Sequence, residues 1–534
     1  MNIGVLEKFI NIASSRKLEL LAGLCILGTI IFLHVTNLQY GGSLIRDETN
    51  SVKLATRPLA AAIKDDLTYD SFPLFSIVVF HFWSFITASD QGFRILGFLI
   101  GLATVAAFWF NSRWMGLGLP FLSWSIFEFN YTAVRYGDYV RAYSLGIFFI
   151  ILSFSLIWKL TTTPKFNGKL FALACLLAVL SVQTMYQNAF LLLAICLAGI
   201  AVAFRHKEWQ KIRLIMAVGL FAAVSLLPYV GFIKRANDWM TVSKSVNDPN
   251  TMWRVMAAAL GVTSPILILI FVALFAAGTL IFYFWRSRNE IPPNRRDLFD
   301  FSILALFIGS SIFLVFLQKT KIPAQTYYFI PLLAVAAICI ESIFIAVVSN
   351  PKLQRVLKVL MALCFLFLTI KINLEFLKTR TTNIDIIAER LPSLTEKNDL
   401  ILLNPWLIGV SFERYYKGQT PWLTLPPIDD LSIFRYVVLQ KKIAEENPTA
   451  PALASVEKTL SSGGRVWLIG LIGSSTREKP TVNYMAPYMY YWSWQLQEFM
   501  DRHAEKRKLI DLNIEQEVNS YENFPLIVFQ GWKK

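Results

Sequence analysis

Apolar stretches of about 14 to 24 residues recur along the first two thirds of this chain, and short basic loops separate them. The first, at residues 18–38, carries a single charge, Glu19, and is long enough to cross a bilayer as a helix. Lys8, Arg16 and Lys17 precede it, which places its N-terminal end in the cytoplasm. The rest of the composition agrees. Of 534 residues 16% are charged and 55% hydrophobic, against about 25% charged in ordinary soluble domains. Fifteen Trp and forty-two Phe suit aromatic belts at the surfaces of membrane lipids. The net charge of +15 sits in short loops between apolar segments, a positive-inside pattern rather than a nucleic-acid-binding one. All five Cys lie in apolar runs and read as small core residues.

The basic loops at 159–169, 205–213, 286–296 and 352–358 set the topology when all are cytoplasmic. Between them lie the paired segments 170–186 and 189–204, 212–233 and 262–285, and 301–317 and 328–348. Upstream, 142–158, 117–131 and 95–110 alternate in direction, and 359–372 is the last span. The expectation is an α-helical polytopic membrane protein with about eleven transmembrane helices, its N-terminus inside and its C-terminus outside. The segment 72–87 is short for a span and parity leaves it outside, as a juxtamembrane element of a first external loop at 39–93. Residues 1–374 then form the membrane domain. From 375 to 534 charged residues are frequent. Apolar runs of strand length at 399–404, 465–471 and 526–529 alternate with helical patterns at 433–444 and 490–506, which predicts an extracytoplasmic α/β domain.

The first external loop opens with Arg46, Asp47 and Glu48. Apolar residues at 52, 55, 59, 62 and 63 have helical spacing, with Lys53, Arg57 and Lys64 between them, so a surface helix starts at the acidic pair. The two carboxylates serve either as helix caps or as a base, metal ligand or ion site. Arg135, Asp138 and Arg141 mark a second external turn, Lys319 and Lys321 a third, and Tyr186 with Gln187 and Asn188 a fourth. Cations on the non-cytoplasmic side suit an anionic partner, and an Arg fork suits phosphate. The chain has no Walker-type glycine loop and no G-x-S-x-G elbow. Its four His are scattered, which disfavours a histidine metal site.

Taken in order, Arg46-Asp47-Glu48-Thr49, Phe72-Pro73-Leu74-Phe75, Phe93-Arg94, Arg141-Ala142-Tyr143-Ser144-Leu145, Thr184-Met185-Tyr186 and Tyr327-Tyr328-Phe329-Ile330-Pro331 resemble the GT-C class of polytopic glycosyltransferases. The similar branch is the bacterial one of protein O-mannosyltransferases, lipid A aminoarabinose transferases and lipopolysaccharide-core galacturonosyltransferases. The resemblance implies transfer of a sugar from a polyprenyl-phosphate donor to a glycan, lipid or protein acceptor, outside the cytoplasm. It implies that Asp47 is catalytic and that Glu48 helps build the acceptor or metal site, with a divalent metal as an optional cofactor. Relatives often have Arg-Tyr where Tyr327-Tyr328 stands, and His where Met185 stands.

A sugar on phosphate already has a good leaving group, so the chemistry needs a base for the acceptor and cations for the phosphate. Asp47 is the expected base, supported by Glu48. Arg141 is the expected phosphate contact, and Tyr143, Tyr186, Arg57, Lys319 and Lys321 are further substrate-binding candidates. Single attack opposite the phosphate inverts the anomeric centre. The resemblance implies a multi-pass protein of the bacterial inner membrane. A transporter or lipid-linked sugar flippase is the rival reading, for which Glu341 is the clearest intramembrane acid.

Overall fold

The computed structural model describes residues 15–70, 72–239, 242, 248–261, 292–320 and 323–533. Among them, eight helices are long and apolar enough to cross a membrane: Arg16–Tyr40, Asp90–Met115, Ala142–Thr162, Asn188–Arg205, Trp209–Arg235, Pro293–Lys319, Thr326–Val347 and Pro351–Leu377. Gly168–Thr184 is a shorter apolar helix of 17 residues at the place of another expected span. The expected span at 262–285 lies outside the described residues. The juxtamembrane segment contains the helix Phe75–Ser84, whose ten residues extend only about 15 Å.

One of the expected spans is not a single helix. Residues 117–131 do not form one helix but contribute to two, Phe121–Glu128 and Tyr131–Gly137, of 8 and 7 residues. Two asparagines make the break stable. The Asn130 side-chain oxygen accepts the Thr132 N–H at 2.9 Å, and its amide donates to the Ala259 carbonyl at 2.7 Å. Asn373 donates to the Phe129 carbonyl at 2.9 Å and accepts the Tyr131 N–H at 2.8 Å. Irregular backbone at membrane depth is tolerated where protein groups satisfy it, and hydropathy alone does not register that.

The chain divides into two compact units. One comprises Met1–Leu38, Arg94–Tyr229 and Val246–Leu377, and holds most of the apolar helices. The other comprises Gln39–Phe93, Val230–Ser245 and Lys378–Lys534. Residues 39–93, read from sequence as a loop of the membrane domain, thus pack with the C-terminal α/β domain. Specific hydrogen bonds tie them there: Thr381 Oγ1 donates to the Gly41 carbonyl at 2.8 Å, and the Leu44 N–H donates to the Tyr415 hydroxyl at 3.0 Å.

The second unit is built on a five-stranded sheet. Its strands are β1 (Leu400–Asn404), β2 (Trp422–Thr424), β3 (Val466–Gly470), β4 (Ala504–Ile510) and β5 (Leu526–Trp532), in the order β2-β1-β3-β5-β4. β2, β1 and β3 are parallel, and β5 and β4 are antiparallel. Every residue of β1 and β3 is buried, because both faces are covered. Leu400 and Leu402 join the core that includes Trp406, Leu439 and Trp492, while Ile401 and Leu403 join the opposite core with Ile387, Leu391 and Phe412. The edge strand β4 is mostly exposed and carries Glu505, Lys506, Arg507 and Lys508, charges that discourage pairing with another chain. Its lack of an apolar run is why sequence patterning passes over it.

Candidate functional site

The helix Arg46–Ala55 begins where the sequence predicts, and its first turn separates the roles of the two acids. Glu48 is fully buried. Its Oε2 turns back to accept the Ile45 N–H at 3.2 Å, the N3 half of a capping box. Asp47 is 29% exposed, so it is the carboxylate of the pair that reaches solvent. Its Oδ1 accepts from Arg46 Nε at 2.9 Å and from the second guanidinium nitrogen at 2.7 Å. The Arg46 guanidinium lies over the Phe434 ring, 4.8 Å from its centroid. The backbone N–H of Arg46 donates to Glu522 Oε1 at 3.1 Å. Glu522 is 3% exposed, and burial pushes its carboxyl up to about 7 against the pull of Arg46. Sequence reasoning passed over Glu522 and Phe434. Neither stands in a pattern, and only the tertiary fold brings them to Arg46.

Arg57 pairs with Asp65 and donates to Ser432 Oγ at 2.8 Å, so its guanidinium serves the fold of its own unit. Lys53 pairs with Glu413, and burial lowers its pKa. Arg414 and Tyr415 both bond Asp90, at 2.5 and 2.6 Å. These contacts fix the segment that carries Asp47 to the α/β domain.

In the first unit, the turn at 135–141 is held from several sides. Arg135 donates to the Phe376 carbonyl at 2.8 Å and stacks 4.4 Å over the Phe376 ring. Asp138 bonds His34 Nδ1 at 2.7 Å and accepts from Asn37 at 2.9 Å, and His34 Nε2 lies 3.2 Å from Glu128. All four side chains are buried. Gly97 and Gly101 let the turn approach the helix Asp90–Met115, since a Cβ on either would collide with Asp138. Arg141 is 8% exposed at the N-terminus of Ala142–Thr162. Tyr143 is buried two residues on, its ring 4.8 Å from Tyr327 and 6.4 Å from Tyr136. Tyr327 also meets Tyr136 at 5.5 Å and Tyr328 at 4.7 Å. Two of Tyr143's neighbours are thus tyrosines, and Tyr328 joins them through Tyr327, a cluster that linear spacing does not reveal.

Tyr186 stacks edge-on with Tyr229 at 5.7 Å. Lys319 is exposed in the last turn of Pro293–Thr320. Lys321 lies outside the described residues. Glu341 is no lone intramembrane acid: it pairs with Lys358 at 2.6 Å, and its other oxygen accepts from the Ser123 hydroxyl at 2.6 Å and the Ser123 N–H at 3.0 Å.

The acidic pair does not fit a divalent cation. Asp47 faces a guanidinium and Glu48 is turned to a backbone N–H. Among the described residues, no three His, Cys, Asp or Glu side chains are grouped to hold a metal.

No protein-family model matches the chain, and no curated protein matches it in sequence. Solved structures do. ArnT from Cupriavidus metallidurans, solved with undecaprenyl phosphate bound, aligns over 95% of this chain and 97% of its own, with a TM-score of 0.54 at 10% identity. The oligosaccharyltransferase of Archaeoglobus fulgidus, solved with zinc and sulfate, aligns over 91% of this chain and 78% of its own, with a TM-score of 0.42 at 13% identity. The helices and the α/β domain therefore define a polytopic membrane protein, and its fold is that of the GT-C class, as the likeness to ArnT along nearly the full length of both chains shows.

Proposed function

We propose that this protein is an inverting glycosyltransferase of the membrane, moving a sugar from a polyprenyl-phosphate donor to a glycan, lipid or protein hydroxyl or amine on the extracytoplasmic side. The observation that carries the reading is the placement of Asp47: a solvent-reaching carboxylate, in the first turn of a helix, directly after the first span of a GT-C fold. The undecaprenyl phosphate bound to ArnT supports the same class of donor here.

In this mechanism the acceptor O–H or N–H gives its proton to Asp47 as the acceptor atom bonds to the anomeric carbon. The bond from that carbon to the phosphate oxygen breaks, and the polyprenyl phosphate leaves with the electron pair. Attack opposite the leaving group inverts the centre. Arg141 is the proposed cation for the phosphate, and the phenols of Tyr143 and Tyr327 are proposed to bound its binding region. Glu48 acts through the helix cap that sets the direction of Asp47 rather than on substrate. Arg57, Tyr186, Lys319 and Lys321 are further proposed substrate contacts, and the Arg57 guanidinium would have to share its partner Asp65 with the substrate.

The test is incubation of purified protein with a panel of undecaprenyl-phosphate sugars. Cleavage of one donor, with the sugar passed to an added acceptor or to water, supports the reading. Uptake of a lipid-linked sugar into sealed vesicles without cleavage contradicts it and favours a transporter. The pairing of Glu341 with Lys358 already gives that acid a structural role, which weakens the transporter reading.

A further inference from the structure

On a helix, neighbouring residues point about 100° apart, so adjacent side chains do not face each other. Arg46 and Asp47 are adjacent and nevertheless make two guanidinium–carboxylate contacts, at 2.9 and 2.7 Å. Something beyond the helix must hold the long, rotatable Arg46 side chain in that place. Residues nearly four hundred or more positions away surround it: Phe434 and the Tyr521 hydroxyl meet the guanidinium, and Glu522 holds the backbone from which the side chain leaves. Phe434 lies under the guanidinium at 4.8 Å. It is itself fixed: its N–H donates to Asn50 Oδ1 at 2.8 Å, and its ring stacks on the buried Trp406 at 4.8 Å. Glu522, 3% exposed, accepts the backbone N–H of Arg46 at 3.1 Å and so fixes the start of the helix from which the Arg46 side chain leaves. It is fixed in turn by the Thr382 side chain and by the Asn383 N–H, which donates to its carbonyl at 3.3 Å.

We propose that Glu522 and Phe434 of the α/β domain are positioning residues for the Asp47 carboxylate, acting through Arg46. The inference rests on the reading of Asp47 as the base. It assigns the α/β domain a direct part in the reaction: the domain sets where the base points, in a step whose rate falls steeply with misplacement of the reacting groups. It also gives a reason why residues 39–93 fall in one compact unit with that domain.

Carboxyl labelling tests the positioning without any donor. Purified full-length protein is treated with a water-soluble carbodiimide and glycinamide, and modification of Asp47 is followed by mass spectrometry. In wild type, the guanidinium shields Asp47. Glu522→Gln, Phe434→Leu and the control Arg46→Ala each raise its labelling several-fold. Glu522→Gln keeps the shape of the side chain and an acceptor for the Arg46 N–H, and Phe434→Leu keeps an apolar filler, so two independent variants address the same question. Unchanged Asp47 labelling in both, with Arg46→Ala raised, overturns the proposal. Turnover of the undecaprenyl-phosphate sugar that the wild type cleaves supplies the second readout. Both variants lower kcat about tenfold with KM for the donor unchanged, and Arg46→Ala combined with Glu522→Gln is no slower than Arg46→Ala alone. Wild-type kcat in both variants overturns the proposal while leaving Asp47 as the base. Activity in Asp47→Asn instead overturns the reading beneath it.

Discussion

His34 and Asp138 stand 104 residues apart in the chain and 2.7 Å apart in the structure, with neither side chain more than 5% exposed. The imidazole bridges two acids, since its other nitrogen lies 3.2 Å from Glu128. Removing it leaves two carboxyls buried without their shared partner. His34→Ala is expected to destabilise the protein by about 3–5 kcal/mol, and Asn37→Ala by about 1 kcal/mol. Thermal unfolding of the detergent-solubilised variants measures both.

The same turn depends on two glycines. A Cβ on Gly97 or Gly101 would run into Asp138, so Gly97→Ala is expected to cost about 1–3 kcal/mol by displacing the turn. Gly28, in the first helix, has nothing within 4 Å of the position of a Cβ. Gly28→Ala is therefore expected to be neutral or to stabilise by up to about 1 kcal/mol. Comparing the two alanines in one unfolding assay separates close approach from helix propensity.

Glu341 and Lys358 form a buried ion pair, 0% and 5% exposed. Lys358→Met alone strands the carboxyl and is expected to cost about 3–5 kcal/mol, whereas Lys358→Met with Glu341→Leu recovers most of that loss. Unfolding midpoints of the single and double variants check it. A double variant that keeps donor cleavage would also separate Glu341 from any transport role.

Glu522 predicts a pH dependence of stability. Burial raises its carboxyl from 4.5 to about 7. The folded state therefore holds this proton more tightly than the unfolded chain does. Its favourable contribution is full below pH 4.5 and is lost as pH rises through about 7. Glu522→Gln removes this term, so the difference in unfolding midpoint between the variant and wild type is expected to grow in the variant's favour from pH 5 to pH 8. A difference that stays constant over that range contradicts the assignment.

Hydropathy and charge made the membrane class legible, along with the order of the spans and the strands β1, β3 and β5, because each is a long or fully apolar run. The helix start at Arg46 was legible from an acidic pair followed by helical spacing. What stayed hidden depends on side-chain satisfaction and distant contacts. Asn130 and Asn373 break a segment that reads as one span. Tyr415, Asp90 and Thr381 draw residues 39–93 to the α/β domain. Phe434 and Glu522 reach Arg46 through the fold alone. His34 did leave a signal, an ionisable residue inside an apolar span, but its partners Asp138 and Glu128 lie in segments that nothing in the linear pattern connects to it.

The base role of Asp47 is tested most directly by sugar transfer from an undecaprenyl-phosphate donor in Asp47→Asn, compared with wild type in folded, membrane-inserted protein. Asparagine keeps the size of the side chain and removes its ability to take a proton. Turnover is predicted to fall by about 10²–10⁴-fold while binding of undecaprenyl phosphate is retained. Near-wild-type turnover in Asp47→Asn would contradict the assignment.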